Sequence, residues 1–295
     1  MSAKIIDGNK VAAEMQAEMV GEVEKLKAEG VTPGLSVVLV GEDPASKVYV
    51  RNKARTCKKL GIKSEQYNLD ADASEQEVLD LVQKLNEDET VHGILVQMPL
   101  PKQIDEGKVI NAISAEKDVD GFHPMNVGKM VVGEPGFLPC TPHGVQHLLL
   151  RSGIEISGKH VVVVGRSNIV GKPVANILLQ KQEGANATVT VCHTGTADIG
   201  AHTREADIII AAAGRPNTVT ADMVKAGVVV IDVGVNRVDD PSARRGFKLV
   251  GDVDFDAVKE KAAAISPVPG GVGPMTITML MHNTITSAKM HAEKA

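Results

Sequence analysis

HVVVVGRSNIVGKPVANILL, residues 160–179, has the pattern of a buried β-strand that turns sharply into a helix. Four consecutive valines favour a strand covered on both faces, as in a parallel sheet. Gly165 follows at the tight turn, and Gly171 lies near the helix start, where backbone N–H groups and the helix dipole favour a phosphate. The stretch therefore predicts the first strand–turn–helix unit of a Rossmann-like domain.

This turn departs from the usual dinucleotide fingerprint, G-x-G-x-x-G, because Ser167 replaces the second glycine. The second strand of such a domain normally ends in an acid that holds the ribose of NAD. Here ATVTVCH (187–193) is followed by Thr194, with no acid. Arg166 could instead neutralise a 2′-phosphate, which favours NADP over NAD. The same residues also fit a strand–helix turn that binds nothing.

Strands and helices alternate along the chain, which implies parallel βαβ units with right-handed crossovers. The predicted strands cover 35–41, 65–69, 92–98, 160–165, 187–193, 207–214 and 228–235, and the predicted helices cover 10–28, 44–60, 75–86, 143–151, a segment from 171, and 275–289. A stretch rich in Pro and Gly, 99–142, breaks this alternation. Its later part, 120–142, predicts the boundary between two α/β domains.

Composition limits the possible partners. The formal net charge of −5 argues against affinity for nucleic acid or anionic membranes. The three cysteines have no CxxC spacing, which suits a reduced compartment. The N-terminus has no apolar signal region, and no apolar run approaches membrane-spanning length. We therefore expect a cytoplasmic, soluble protein with no nucleic-acid or membrane partner.

The helix that contains VYVRNKARTCKKLG (48–61) carries one of only two tyrosines. Asp43 is a good N-cap, and Gly61 suits the position just beyond the helix. Tyr49 and Lys53 are four residues apart and share a face near the carboxyl end of a parallel strand. A partly buried lysine there would have a lowered pKa and could act as a base. The alternative is an ordinary solvated basic helix face.

Two further stretches offer polar groups near the same edge. Gln97 ends the strand HGILVQM, and the prolines after it favour a rigid loop. Asp118 and Asp120 lie in KDVDGF (117–122), where a carboxylate could bind a nitrogen-rich heterocycle through paired hydrogen bonds. Alternatively, they are turn residues before Gly121.

Metal and thiol chemistry are weakly indicated. His143 and His147 have helical i, i+4 spacing, but no third ligand stands out, so no metal site is expected. Cys140 has no evident base beside it and is expected to be structural.

Six ordered motifs resemble those of the bifunctional methylenetetrahydrofolate dehydrogenase/methenyltetrahydrofolate cyclohydrolases, and the similarity covers essentially the whole chain. They are YVRNK (49–53), VQMPLP (96–101), KDVDGF (117–122), PCTPHG (139–144), GRSNIVGKP (165–173) and SPVPGGVGPMT (266–276).

The resemblance implies two α/β domains with a cleft between them. An N-terminal folate-binding catalytic domain would span 1–122 and 275–295, and a Rossmann-like NADP-binding domain with a parallel sheet would span 140–272. The implied activities are NADP-linked oxidation of 5,10-methylenetetrahydrofolate and hydrolysis of the product to 10-formyltetrahydrofolate, linked to purine biosynthesis. A homodimer formed through the nucleotide domain is also implied.

The resemblance also assigns site residues. Lys53 would be catalytic, Tyr49 would stack on and orient the folate, Gln97 would tune the lysine, and Asp120 would hold the pterin ring. Gly271 and Pro274, in the PGGVGP loop, would also bind the substrate by lining the cleft near the folate and the nicotinamide. The implied cofactor-binding residues are Gly165, Arg166, Ser167, Gly171, Thr194 and Val235.

Two other function classes fit the same plan. One is a regulatory protein that binds NADP without catalysis, although such a protein has no need of Tyr49, Lys53 and Gln97 together. The other is a two-domain dehydrogenase of the shikimate type, although the DVDGF and PGGVGP segments favour folate.

Overall fold

The computed structural model describes residues 3–243 and 246–294, and the chain divides into two compact units. Unit 1 comprises Met1–Ala13 and Thr141–Thr276, and unit 2 comprises Glu14–Cys140 and Ile277–Ala295. Each unit contains a parallel β-sheet with helices in the connections. The prediction of two α/β domains is confirmed.

The strands are β1 (Lys4–Ile5), β2 (Gly34–Val40), β3 (Lys63–Leu69), β4 (Gly93–Val96), β5 (His160–Val164), β6 (Thr188–Cys192), β7 (Ile208–Ala211), β8 (Val229–Asp232), β9 (Asn236–Asp239), β10 (Phe247–Val250) and β11 (Ala264–Ile265). The α-helices are α1 (Gly8–Ala28), α2 (Pro44–Leu60), α3 (Glu75–Glu87), α4 (Glu106–Ala112), α5 (Pro124–Val132), α6 (Cys140–Arg151), α7 (Gly171–Leu179), α8 (Ile199–Thr203), α9 (Phe255–Lys259) and α10 (Val272–Ala292). None of the helices in the described ranges is long and apolar enough to cross a membrane.

The sheet of unit 1 has the strand order β1-β11-β8-β7-β5-β6, and all its pairings are parallel. After β5, the chain adds β6 on one side and then β7 on the other. The strand order therefore reverses at β5, and open α/β sheets bind ligands beyond the carboxyl ends of the strands at such a point. Val161–Val164 and Ile208–Ile210 are fully buried, because adjacent elements cover both faces of these strands.

Unit 2 contains the three-stranded parallel sheet β3-β2-β4. Every residue of the central strand β2 is buried. The Asp43 side chain accepts a hydrogen bond from the amide of Ser46, and Gly61 ends α2 in the left-handed conformation with φ of 77°. The predicted limits of this helix are confirmed. They place its second and third turns next to the carboxyl edge of the sheet.

The first residues of the chain contribute a strand to the sheet of unit 1. Met1–Ala13 group with that unit because β1 pairs with β11, with Lys4 opposite Ala264. Two residues of strand are too few to be read from hydrophobic periodicity. The predicted limits of the folate-binding and NADP-binding domains stay a prediction.

The stretch 99–142, predicted as a break in the alternation, contains two helices. α4 begins where Asp105 accepts hydrogen bonds from the amides of residues 107 and 108. α5 begins where the His123 ring accepts one from the amide of Met125, and it ends at Gly133 with φ of 78°. Helices of 7 and 9 residues are shorter than the window that helical periodicity requires, so capping residues are their main signal.

Candidate active site

Lys53 is a buried lysine on the third turn of α2, with 8% of its surface exposed. Its Nζ donates to Oε1 of Gln97 at 3.0 Å. Gln97 directly follows β4, and its own Nε2 donates to the carbonyl oxygen of Met98 at 2.8 Å. The second hydrogen bond orients the amide, so that its oxygen faces the lysine.

The surroundings of Lys53 lower its pKa. Burial is the main cause, since the charged form loses its hydration. The Asp120 carboxylate acts in the opposite direction and raises the pKa, but the net shift is downward. A larger fraction of Lys53 is therefore an unprotonated amine at neutral pH than of an exposed lysine, as a general base requires.

Asp120 and Cys140 complete the polar group around this amine. Burial raises the pKa of Asp120, while Lys53 and the neighbouring Cys140 lower it. Burial and the nearby Asp120 carboxylate raise the pKa of the Cys140 thiol well above its ordinary value. The thiol therefore stays protonated and acts as a hydrogen-bond donor, not as a nucleophile. This geometry supports the predicted structural role of Cys140 and adds a contact with Asp120 that the sequence did not indicate.

Tyr49 lies one helical turn before Lys53, and 42% of its surface is exposed. Its ring is thus available to stack on a planar ligand. Tyr49 and Lys53 lie on adjacent turns of one helix, but the tyrosine is exposed and the lysine is buried. The predicted role of Tyr49 in orienting a ligand stays a prediction.

The other charged residues of KDVDGF have structural roles. Lys117 is buried, and its Nζ donates to three carbonyl oxygens at residues 85–88, the end of α3. The carboxylate of Asp118 accepts from the amides of residues 122 and 123 and from the side chain of Asn126. Burial raises the pKa of Asp118 to about 6. Of the two aspartates, only Asp120 interacts with Lys53.

In unit 1, the turn after β5 brings backbone segments into close contact. Gly165 has φ of 136°, and an added Cβ there would lie 2.1 Å from the carbonyl oxygen of Ala212, directly after β7. A Cβ at Gly171 would lie 2.3 Å from the carbonyl oxygen of Gly165. The first turn of α7 therefore contacts the turn with no side chain between them, at the point where the strand order reverses.

Ser167 occupies the place of the missing glycine and has a defined role in this turn. Its Oγ accepts hydrogen bonds from the amides of Val170 at 3.1 Å and Gly171 at 3.3 Å. Both of these amides belong to the start of α7. Because the oxygen acts as acceptor, its O–H is left as a donor near the helix N-terminus, where an anion is favoured.

Arg166 is exposed and lies beside the end of β6. Its Nη1 is 3.4 Å from Nε2 of His193, and the other ring nitrogen of His193 accepts from the amide of Gly195 at 3.1 Å. Thr194 is the next residue and is exposed. The sequence did not indicate a role for His193, because its link to the turn after β5 is a contact with Arg166, 27 residues earlier in the chain. Val235, with 52% of its surface exposed, lies three residues beyond β8, and its cofactor contact stays a prediction.

The PGGVGP loop packs against the start of α1 within unit 1. The amide of Gly8 donates to the carbonyl oxygen of Gly270 at 2.9 Å, and a Cβ at Gly8 would lie 1.7 Å from the carbonyl oxygen of Gly271. Pro274 lies in the first turn of α10, where proline is tolerated. Gly8 is a further residue that the sequence did not single out, although a glycine opening a helix is a signal of close approach.

His143 and His147, at i, i+4 spacing on α6, contact each other through their rings. Their Nε2 atoms are 3.1 Å apart, at hydrogen-bond distance. Across residues 3–243 and 246–294, no cluster of three or more His, Cys, Asp or Glu side chains has a metal-binding arrangement.

Two family models match the chain. The model for the catalytic domain of tetrahydrofolate dehydrogenase/cyclohydrolase matches residues 6–120, and the model for the NAD(P)-binding domain of the same family matches residues 139–292. The chain belongs to the tetrahydrofolate dehydrogenase/cyclohydrolase family. The resemblance indicated by the six motifs is therefore confirmed.

Relatives in this family are similar over their whole length. The bifunctional protein FolD of Syntrophus aciditrophicus is 61% identical over 292 residues, which cover 99% of each chain. The crystal structure of the bifunctional enzyme FolD from Campylobacter jejuni is 49% identical, with a TM-score of 0.92 over 98% of this chain and 99% of that one. The Trypanosoma brucei dehydrogenase-cyclohydrolase, solved with NADP cofactor and an inhibitor, is 42% identical, with a TM-score of 0.92 over 98% of each chain.

The close contact at Gly171 predicts that replacing a helical glycine by alanine changes the free energy of unfolding in opposite directions at Gly171 and at Gly128. Gly171→Ala should lower the free energy of unfolding by about 2 kcal/mol, because the new methyl group meets a backbone oxygen that cannot move freely. Gly128→Ala, in the exposed part of α5 where an added Cβ meets nothing within 4 Å, should raise it by about 0.5 kcal/mol. Urea unfolding of both variants measures the difference, and equal effects would contradict the close approach at Gly171.

Proposed function

We propose that this chain is a bifunctional enzyme of one-carbon metabolism. It oxidises 5,10-methylenetetrahydrofolate to 5,10-methenyltetrahydrofolate with NADP⁺ and hydrolyses that product to 10-formyltetrahydrofolate. In this proposal unit 2 binds the folate and unit 1 binds NADP. The observation that carries it is the buried Lys53 amine, hydrogen-bonded to Gln97 and close to Asp120, in a chain of this family.

The residues of unit 1 fit the dinucleotide. Because neither Gly165 nor Gly171 carries a side chain, the turn after β5 packs directly against the start of α7, whose N-terminal dipole end favours a pyrophosphate. Ser167 and Arg166 supply a hydroxyl and a cation suited to the 2′-phosphate of NADP. When bound, NADP⁺ accepts a hydride from the methylene carbon of the folate. Thr194 and Val235 are proposed as further contacts.

The oxidation requires orientation more than acid–base catalysis. Loss of hydride leaves an amidinium cation that the two flanking nitrogen lone pairs of the folate stabilise, so no general base is needed. The exposed ring of Tyr49 is proposed to stack on the folate, and Asp120 to accept hydrogen bonds from the pterin. Gly271 and Pro274 are proposed to line the folate site. Correct placement of the reacting carbon is the main contribution of these residues.

The hydrolysis requires proton transfer. Water adds to the methenyl carbon, the added oxygen loses its protons, and cleavage of one C–N bond leaves the formyl group on the other nitrogen, with one proton released overall. The unprotonated amine of Lys53 accepts a proton from the adding water. Gln97 holds that amine in place through its oxygen.

Replacing the amine should remove the second activity. Lys53→Met keeps an unbranched side chain, one atom shorter, but has no proton acceptor of comparable basicity, so cyclohydrolase activity should fall by at least about 10²-fold. The measurement is an assay with 5,10-methylenetetrahydrofolate and NADP⁺ that follows NADPH and methenyl absorbance together. In the variant, any NADPH formed should be accompanied by accumulating methenyl product.

The matched control is Lys59→Met, at an exposed lysine of the same helix, which should hydrolyse at the wild-type rate. Dehydrogenase activity of Lys53→Met, whether reduced or lost, reports on folate placement. Equal hydrolysis by Lys53→Met and the wild type would remove the role assigned to Lys53. No NADPH from the wild type with either NADP⁺ or NAD⁺ would refute the proposed function and favour a nucleotide-binding protein without catalysis.

The preference for NADP can be tested at Arg166. Arg166→Ala should raise the KM for NADP⁺ by about tenfold or more, since a charge-assisted hydrogen bond is lost, and should change the KM for NAD⁺ little. Arg204→Ala, at an exposed arginine beside Asp198, is the control and should change neither KM. Equal effects on the two nucleotides in Arg166→Ala would contradict the assignment.

We also propose that the enzyme is cytoplasmic and supplies formyl groups for purine biosynthesis. The three cysteines are free thiols, which suits a reducing compartment. The proposed product, 10-formyltetrahydrofolate, carries a formyl group on nitrogen, and formyl-transfer reactions consume such a compound.

A homodimer is proposed through the edge of the unit 1 sheet. β6 is the last strand in that sheet, and Leu150, Leu179 and Val191 are exposed apolar side chains of the same unit. A second copy paired at this edge would cover the unpaired strand. Sedimentation equilibrium should give twice the chain mass of 31.1 kDa. Val191→Lys should lower that mass, whereas Val132→Lys, at an exposed valine of unit 2, should leave it unchanged.

A further inference from the structure

Asn283, in the middle of α10, is a buried polar residue that contacts Val119, directly before Asp120, and the separate segment at Leu138. Only 3% of its surface is exposed. Its Nδ2 donates to the carbonyl oxygens of Val119 at 2.9 Å and Leu138 at 3.1 Å, and it lies 3.8 Å from Sγ of Cys140. One amide group therefore joins two stretches of chain that are distant in sequence.

The two stretches are packed without space between them. Sγ of Cys140 donates to the carbonyl oxygen of Val119 at 3.3 Å. Gly121 has φ of 77°, and a Cβ added to it would lie 2.6 Å from the carbonyl carbon of Leu138. Because residues 119 and 121 are both held, the backbone of Asp120 between them has little freedom to move.

The same helix also contacts α2, which carries the lysine. Sδ of Met281 lies 3.3 Å from Sγ of Cys57, and both side chains are fully buried. Cys57 is one helical turn after Lys53. Within unit 2, α10 therefore contacts the helix of Lys53 through Met281 and the segment of Asp120 through Asn283, two residues further along.

We propose that Asn283 is a positioning residue that holds the Asp120 carboxylate in its place beside Lys53 and against the bound pterin. The inference rests on the proposed function. It concerns the part of α10 after its first turn, where no site residue was predicted from the sequence. Asn283 acts through the backbone of Val119 before Asp120 and through Leu138, against which Gly121 packs, and it does not itself touch the reacting atoms.

A matched contact on the same helix separates positioning from stability. Ser287, one turn after Asn283, donates from Oγ to the carbonyl oxygen of Glu116 at 2.9 Å. Both residues are buried and both bond α10 to the segment 116–121. Only Asn283 bonds next to Asp120, so Ser287→Ala should lower the Tm without changing the site.

The first readout is the Michaelis constant. Asn283→Ala should raise the KM for 5,10-methylenetetrahydrofolate by about tenfold, because misplacement of a binding group by a fraction of an ångström is costly. The KM for NADP⁺ should not change, and Ser287→Ala should change neither constant. If Asn283→Ala does not fold, Asn283→Ser keeps one donor and should give an intermediate rise in the folate KM.

The second readout is the pH profile of hydrolysis. The charged and titratable groups that act on Lys53 are Asp120, Cys140 and Cys57, and Asp118 acts on the pKa of Cys140. The Asp120 carboxylate raises the pKa of Lys53, so its displacement should lower that pKa further. Hydrolysis requires the unprotonated amine, and the rising limb of the profile should therefore move to lower pH in Asn283→Ala but not in Ser287→Ala.

The outcomes are distinct. A rise in the folate KM and a shift of the profile confined to Asn283 variants support the proposal. Equal KM values and profiles in Asn283→Ala and Ser287→Ala, with the wild type active, would overturn it and leave Asn283 as a structural residue. A wild type without hydrolysis would instead refute the proposed function, before the variants are compared.

Discussion

The hydrogen bond between Lys53 and Gln97 is the constraint around which unit 2 is arranged. A buried ammonium is costly, because the protein must replace the hydration that the charge loses. The chain provides an oriented amide at the end of β4 and a carboxylate at Asp120, and the net result is a lysine with a lowered pKa. An amine in this state can both donate to Gln97 and accept a proton. The capping of α2 and the complete burial of β2 position the two partners for this contact.

In unit 1, the packing of the turns depends on glycines, which have no side chain to separate the backbone segments. Gly165 and Gly171 let the turn after β5, the end of β7 and the start of α7 meet at backbone distance. Gly8 allows the same close approach between α1 and the PGGVGP loop. These positions tolerate no methyl group, while the exposed glycine at 128 does. Polar chemistry in this unit therefore comes from backbone amides and from the few side chains, such as Ser167 and Arg166, that border the turn.

Much of the fold could be predicted because its signals are local. Runs of valine and isoleucine identified the central strands, and the cap at Asp43 and the glycine at 61 delimited α2. The errors have a common cause. β1 is two residues long and is defined only by pairing with a strand more than 250 residues away in the chain, and α4 and α5 are too short to show a helical period. Elements that are stabilised by distant partners leave little trace in their own residues.

The sequence by itself determined the types of the longer elements, the order of the motifs and the candidates Tyr49, Lys53, Gln97 and Asp120, because spacing along one helix and position at a strand end are properties of a short segment. Tertiary structure alone decided the state of those groups. It buried Lys53 but left Tyr49 exposed, gave Asp118 a structural role, placed Asp120 where its charge acts on the lysine, and brought Asn283 beside Val119 and Cys140. The physical reason is that a pKa and a hydrogen-bond partner depend on what surrounds a group in space, and those neighbours come from segments that are far apart in the chain.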